Sequence, residues 1–321
     1  MAAQRVSAVL ALTLLASLCA WAAEAPAGSG PRPRKISLNL FSGPAFYALG
    51  DVNGSVGSYR DYFERLRSDH PEWIWTTGGL EKVDRSSWLK QVELRLNLSS
   101  RFSLGLALQP PFRMSRESSI VCREHREEGR RVTDLFLKPG IRLFLPTDLT
   151  VNYLVASISG FRFLAQAGVC ILPSKLEHKM ELDVHEPSGD FTRLTAEVKA
   201  RPSMPVGIIA GLGFDCVFSS HLSVLLESQY RLGRFSRLRG RSRLESRSYN
   251  SADELIQSSI IVKEGALYYI SRTDPAFPGT FDLDIFPDPP EGAEDGVTWA
   301  RRARLDLSGF SVKVRLRIKL F

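Results

Sequence analysis

The chain has 321 residues, 44% of them hydrophobic and 24% charged, with a mean hydropathy of −0.09; this is the composition of a folded protein and excludes both a disordered polymer and a bundle of apolar membrane helices. The formal charge of +7 is spread unevenly along the chain.

One run, residues 6–22, is apolar enough to enter a bilayer as a helix. It follows Arg5 and ends in Ala20-Trp21-Ala22, the small-x-small pattern of a cleavage site, so residues 1–22 read as a signal peptide. Residues 23–34 form a Pro/Gly/Ala leader, and residues 35–321 are the expected folded domain. Export argues against a nucleic-acid partner. Cys19 leaves with the signal, and Cys122, Cys170 and Cys216 lack the spacing of a disulfide framework or metal cluster.

In residues 35–40, Ile36, Leu38 and Leu40 alternate with Lys35, Ser37 and Asn39, which predicts a first strand running on through Phe46 and Tyr47. A long polar connection, 50–85, holds a predicted short helix over 58–68 and two tryptophans, Trp73 and Trp75. The next strand, 88–98, sets Trp88, Val92, Leu94, Leu96 and Leu98 against Gln91, Glu93, Arg95 and Asn97. A tight turn at Ser99-Ser100-Arg101 returns the chain through Phe102, Leu104, Leu106 and Leu108. Residues 110–131 are long and polar, a strand is predicted over 132–145, and Pro146-Thr147-Asp148 reads as a short turn. Residues 151–171 keep one parity from Val151 to Ile171, which predicts a single long strand projecting into a hairpin. In that hairpin Met180, Leu182 and Val184 face Leu194, Ala196 and Val198 across a turn at 186–190. Residues 206–218 descend, Ser219-Ser220-His221 turns, and residues 222–232 climb into the last long loop. The terminal strand opposes Phe310, Val312, Val314, Leu316, Ile318 and Leu320 to Ser311, Lys313, Arg315, Arg317 and Lys319.

Eight such strands, joined by short and long connections in alternation, predict an all-β fold: an eight-stranded antiparallel transmembrane β-barrel with long extracellular loops. An Arg or Lys on the lipid face would cost about 2–4 kcal/mol near the midplane, so the charged parity should face inward. It carries Glu93, Arg95, Asp134, Arg162, Asp215, Glu227, Arg231, Lys313, Arg315 and Arg317. Phe102, Phe218 and Phe321 near the short turns, and Trp88, Tyr230 and Phe310 near the long loops, match interfacial girdles. A soluble barrel with an apolar interior is the competing architecture. It would have to fit the bulky parity into a narrow eight-stranded interior.

With its signal peptide, eight alternating strands and terminal aromatic, the sequence from 35 to 321 resembles the small OmpA-type class of bacterial outer-membrane β-barrel proteins. The resemblance implies a place in the outer membrane of a Gram-negative cell, among its lipid and lipopolysaccharide. It also implies that Phe321 is an insertion signal read by the barrel-assembly machinery, although Leu316, Ile318 and Leu320 stand one step out of phase with it.

Chemistry is sparse. His221 and Ser223 resemble the start of the motif of outer-membrane lipid A deacylases, but Val224 stands where those enzymes have Asn. No nucleophile, base and orienter set can be assembled, so neither an enzyme nor a cofactor or metal is expected. The acidic run Asp282, Asp284, Asp288, Glu291, Glu294 and Asp295 lacks the spaced ligands and central glycine of a calcium loop. The strongest feature is basic: Arg234, Arg237, Arg239, Arg241 and Arg243, with Arg301, Arg302 and Arg304 at the other end of the same loop. Guanidinium groups take phosphate bidentately, so this rim is expected to contact lipopolysaccharide phosphates or to pair with the acidic run. These features describe a monomeric structural or interaction protein acting through its external loops. The alternative is a narrow porin-like channel for small or apolar solutes, with Gly105, Gly207, Gly211 and Gly213 leaving room inside. Cys122 is expected to face the medium, Cys216 the lipid and Cys170 the interior.

Overall fold

A computed structural model describes residues 36–76, 79–126, 129–158, 160–272, 279–291 and 296–320. The expected signal peptide and leader, Phe321, Glu294 and Asp295 lie outside the described residues.

The lower storey is a closed barrel of eight antiparallel strands: β1 (Ile36–Tyr47), β3 (Ser86–Asn97), β4 (Phe102–Leu108), β8 (Thr147–Ile158), β9 (Phe161–Ile171), β12 (Val206–Val217), β13 (Leu222–Leu232) and β20 (Gly309–Lys319). The last strand closes on the first, with Leu40 opposite Leu316 and Phe46 opposite Phe310. Backbones approach closely at this seam: a Cβ on Gly309 would lie 1.6 Å from the Phe46 carbonyl oxygen, so only glycine fits there. Above the seam the pairing continues as backbone hydrogen bonds from Ala48 to Ser308 (2.9 Å), Leu49 to Asp306 (2.6 Å) and Asp51 to Arg304 (3.1 Å).

Parity decides what each face meets. Leu94, Leu212, Leu226 and Val314, at mid-strand positions, are between 51% and 68% exposed on the outside, while Glu93, Arg95, Glu227, Lys313 and Arg315 are buried within. Ten residue steps separate Phe310 from Leu320. At about 3.3 Å per step and a tilt of about 40°, they make an apolar band about 25 Å tall. Phe46, Trp88, Tyr230 and Phe310 lie on four neighbouring strands at its upper edge, all exposed. Phe161, Phe163 and Phe214 cluster toward the short-turn end, with ring centroids about 5 Å apart (5.2 and 5.1 Å). Phe102 is buried there against Tyr153, and Phe218 is exposed.

The number of barrel strands agrees with the sequence reading, but two of its members differ. Residues 151–171 are not one strand: they divide into β8 and β9 at a tight connection in which Gly160 adopts φ +88. A glycine accepts that left-handed conformation without a Cβ penalty. Residues 132–145 therefore leave the barrel, and 146–148 lie at the long-loop end rather than in a short turn.

The four long connections fold into an upper storey. The first holds α1 (Asp51–Asp69), longer than the predicted helix, and β2 (Ile74–Thr76). The second holds β5 (Phe112–Ser115), β6 (Ser118–Arg126) and β7 (Gly129–Leu143), and the third the hairpin β10 (Ser174–His185) and β11 (Phe191–Pro202). The hairpin expected from the sequence is present, and its register pairs Met180 with Ala196 and Leu182 with Leu194, while Val184 stands opposite Thr192 and Val198 opposite His178. The fourth holds β14 (Arg234–Phe235), β15 (Leu238–Tyr249), β16 (Leu255–Arg272), β17 (Phe281–Phe286), β18 (Val297–Arg302) and β19 (Leu305–Asp306). Hairpins of different loops pair side by side, β7 with β10 and β11 with β15, so that a ten-stranded sheet stands over the barrel.

Helix α1 packs on the inner face of this sheet. Val56, Tyr59 and Phe63 share one buried cluster with Leu135, Leu137 and Met180. A second, larger cluster lies where the two storeys meet, from Tyr47, Leu49 and Leu89 through Ile141, Leu143 and Ile209 to Leu267 and Leu307. Cys122 belongs to the upper storey and is buried, not exposed as expected. It sits on β6 between β2 and β7, where burial first, and the nearby Glu124 carboxylate second, push its thiol up to about 11. Cys170 faces the barrel interior, Cys216 is half-buried, and all three cysteines are free.

Candidate functional site: a sealed interior and a cationic collar

Inside the barrel the polar parity forms connected layers. Glu93 accepts hydrogen bonds from Asn39 (3.0 Å), Arg95 (2.7 Å) and Arg315 (3.3 Å), and Arg315 reaches across to Glu227. Below, Arg317 donates to Asn39 (3.1 Å) and Asp215 (2.7 Å), and Arg95 donates to Asn152 (2.8 Å). Above, Lys313 donates to Gln91 (2.8 Å) and Gln229, and Arg231 and Gln91 both donate to Asp148 (3.0 Å). Phe41 covers the Arg315 guanidinium at 3.9 Å, a cation–π contact. These side chains fill a bore that eight strands leave barely wide enough for them, and the apolar cluster between the storeys lies over its upper end.

Nine of the ten residues expected to face inward are on this lining; Arg162 is half-buried near the short-turn mouth. Asp134 is not. It lies on β7 in the upper sheet, opposite Asp183, because its segment left the barrel. Asp148 is the interior acid that the sequence reading missed. Its signal was present: Asp148, Thr150 and Asn152 share one parity, hidden by assigning 146–148 to a turn.

The basic residues of the last loop divide into two groups. Arg301 is an internal brace, donating to Asp51 at the start of α1 (2.6 and 2.7 Å) beneath the Tyr269 ring. The Asp51 carboxylate raises the Arg301 guanidinium further, and burial, with Asp51 beside it, pushes the Tyr269 phenol up to about 12. Arg302 lies 4.5 Å over Tyr268, Arg304 is exposed, and Arg234 pairs with Asp306 (3.1 Å). Arg237, Arg239, Arg241 and Arg243 are exposed, the last three in a row along β15. Two members of the acidic run have partners elsewhere. Asp282 accepts from Ser55 and Tyr59, and Asp284 pairs with Lys263.

Register reveals what sequence alone did not. Arg239 stands opposite Arg201, Arg241 opposite Lys199 and Arg247 opposite Arg193 across β11 and β15, while Arg142 stands opposite Lys175 and Arg113 across β7. Like charges directly opposite on one sheet face are destabilising unless something anionic lies between or over them. Glu177, paired with Lys175 (2.6 Å) and Arg113 (3.4 Å), and Glu245, beside Arg243 (2.9 Å) and Arg247, offset part of the excess. The lowest row, Arg113, Arg142, Lys175, Arg201 and Arg239, lies at the foot of the upper sheet next to the barrel. The Phe144 ring sits beneath Arg142 (5.1 Å) and Arg201 (5.9 Å); exposed Leu145 follows it in sequence, and exposed Met204 follows Arg201 by three residues. This collar stands over β8, β9 and β12, away from the upper aromatic belt. On the same sheet, residues 255–264 of β16 pair only with β15 among the described residues, and Leu255, Ile256, Ile260, Ile261 and Val262 are exposed along that edge.

His221 and Ser223 do not meet. The exposed His221 ring meets Ser220 (2.7 Å), whereas the Ser223 hydroxyl is buried inside the barrel. Among the described residues no group of three or more His, Cys, Asp or Glu side chains could hold a metal ion.

No protein-family model matches the chain, and no curated protein matches it in sequence. Among solved structures it is similar to the outer membrane protein OprG of Pseudomonas aeruginosa, at 12% identity, covering 88% of this chain and 97% of that one with a TM-score of 0.28. It is also similar to the outer membrane protease OmpT of Escherichia coli (8% identity, 92% and 99% covered, TM-score 0.29) and to a Pseudomonas aeruginosa FadL homologue (8%, 90% and 93%, TM-score 0.20). Scores this low transfer neither activity nor ligand, and the barrel is established by this chain's own strand pairing.

Proposed function

We propose that the protein is a monomeric, non-catalytic integral barrel of a Gram-negative outer membrane, whose folded loop storey holds the phosphates of surrounding lipopolysaccharide through its cationic collar. The collar is the observation that carries this reading. Five adjacent strands place Arg113, Arg142, Lys175, Arg201 and Arg239 at one level, like charges opposed, at the foot of the sheet that rises from an apolar band about 25 Å tall. A solvated surface gains nothing from that opposition. Beside an anionic headgroup layer each such cation contributes about 1 kcal/mol, and a guanidinium fork adds bidentate geometry. The apolar exterior supports the membrane placement, since a soluble barrel would leave that band in water.

The test is binding of the refolded chain to bilayers containing lipopolysaccharide, set against bilayers with dephosphorylated lipid A. Changing Arg142, Lys175, Arg201 and Arg239 together to Gln should weaken binding at least about tenfold and flatten its salt dependence. Equal binding by both proteins, or indifference to the phosphates, would sink the reading.

A further inference from the structure

The short-turn mouth of the barrel, opposite the collar, has an electrostatic arrangement of its own. The barrel interior holds six cations, Arg95, Arg162, Arg231, Lys313, Arg315 and Arg317, against four carboxylates, Glu93, Asp148, Asp215 and Glu227. The excess gathers at the mouth. A cavity of about 50 Å³ opens there, lined by Arg95, Arg101, Arg162 and Arg317 with Asn152 and Ser103, and no carboxylate lines it. That space exceeds the room one water needs.

Two of these guanidinium groups are incompletely used by the protein. Arg317 is 6% exposed; its Nε and Nη1 donate to Asn39 and Asp215, while its buried Nη2 has no protein partner. The side chain of Arg162, opposite Asp215 in the strand register, makes no hydrogen bond or ion pair among the described residues. The buried hydroxyls of Ser223, opposite Arg317, and Ser37, opposite Arg95, also lack partners. Asp215 keeps one oxygen unpaired, but it does not line the cavity. Leaving a buried guanidinium N–H unmade is costly, and its planar fork matches the oxygens of an oxyanion.

We propose that this mouth is a binding site for an oxyanion of the phosphate class, held by Arg162 and Arg317 with Arg95 and Arg101 around it. Bound there, the anion offsets the surplus charge of the interior and takes the free Nη2 hydrogens of Arg317. The site lies at the end of the barrel away from the loops, so it is reached from the opposite side of the membrane to the collar.

The test uses the full chain refolded in detergent, with its unfolding midpoint followed during titration with inorganic phosphate at constant ionic strength, chloride being the reference. A saturable rise is expected with phosphate and not with chloride. Arg162→Gln should weaken half-saturation at least tenfold. Arg101→Gln, on an exposed turn where folding is insensitive to the change, should weaken it several-fold and serves if the first variant folds poorly. A parallel titration with dihexanoyl phosphatidic acid tells a free anion from a lipid headgroup, and binding of either supports the site. Identical behaviour of phosphate, the phosphatidic acid and chloride, or variants that titrate like the parent chain, would overturn it.

Discussion

Arg315 shows how a charge is kept inside a membrane-spanning wall. It lies between Glu93 and Glu227 with Phe41 over its plane, so two acids and a ring replace the water it has lost. Asp134 shows the opposite. It stands opposite Asp183, whose carboxylate is already engaged by Arg193 at 2.8 and 2.7 Å, and one oxygen of Asp134 is buried without a partner. Burial, and then the Asp183 charge, raise its carboxyl above the usual range, with His185 acting in the other direction. A carboxyl whose folded pKa is raised binds its proton more tightly when folded. Its contribution to stability is therefore present below the ordinary carboxylate pKa and lost as pH rises through the raised one. Asp134→Asn should thus raise unfolding stability at neutral pH by about 0.2–1 kcal/mol, the range of a cross-strand pair, and the advantage should vanish in acid. Denaturant melts at two pH values check both halves.

Helix α1 is the element on which the upper storey is assembled. Gly54 and Gly57 weaken it intrinsically, so its stability comes from Val56, Tyr59 and Phe63 against the sheet and from Arg301 holding Asp51 at its first turn. Phe63→Ala should cost about 3–5 kcal/mol within that storey. Limited proteolysis should then cut the loops while the barrel keeps its resistance to unfolding without heat; loss of both together would mean that the storeys melt as one. The barrel strands were legible because a greasy and a charged parity leave only one way to face lipid. Of the upper strands only the β10–β11 hairpin was legible, since β7 alternates as well as any barrel strand does. Alternation reports that one face of a strand is buried and is silent about what buries it. Residues 151–171 misled for a related reason: the two residues between β8 and β9 shift the parity by one, and the bulge between Leu154 and Ala156 shifts it back, so that Val151 and Tyr153 again match Ala167 and Ala165 in parity. Gly160 was the single local cue. The collar was half legible: the arginines of β15 stand out in the sequence, but their opposition to Arg201, Lys199 and Arg193 exists only in the register.

At the scale of the whole molecule, paired charges fill the lower bore and an apolar cluster covers it. Planar-bilayer recordings should therefore show no steady, reproducible openings, and a unitary conductance would overturn the assignment of a closed barrel. The seam between β1 and β20 has a further consequence. In a barrel, the junction of the first and last strands is where the wall is joined by nothing but strand pairing, and hence the place where it can part sideways to admit lipid or another strand. Here that junction is latched from above, as the bonds of Ala48, Leu49 and Asp51 to the segment from Arg304 to Ser308 carry it past the membrane, and the Arg301 fork fastens it to α1. The latch draws on both ends of the folded chain, so it can engage only after the final loop has crossed. Once engaged, it turns a wall that could open sideways into a ring that must first lose its roof.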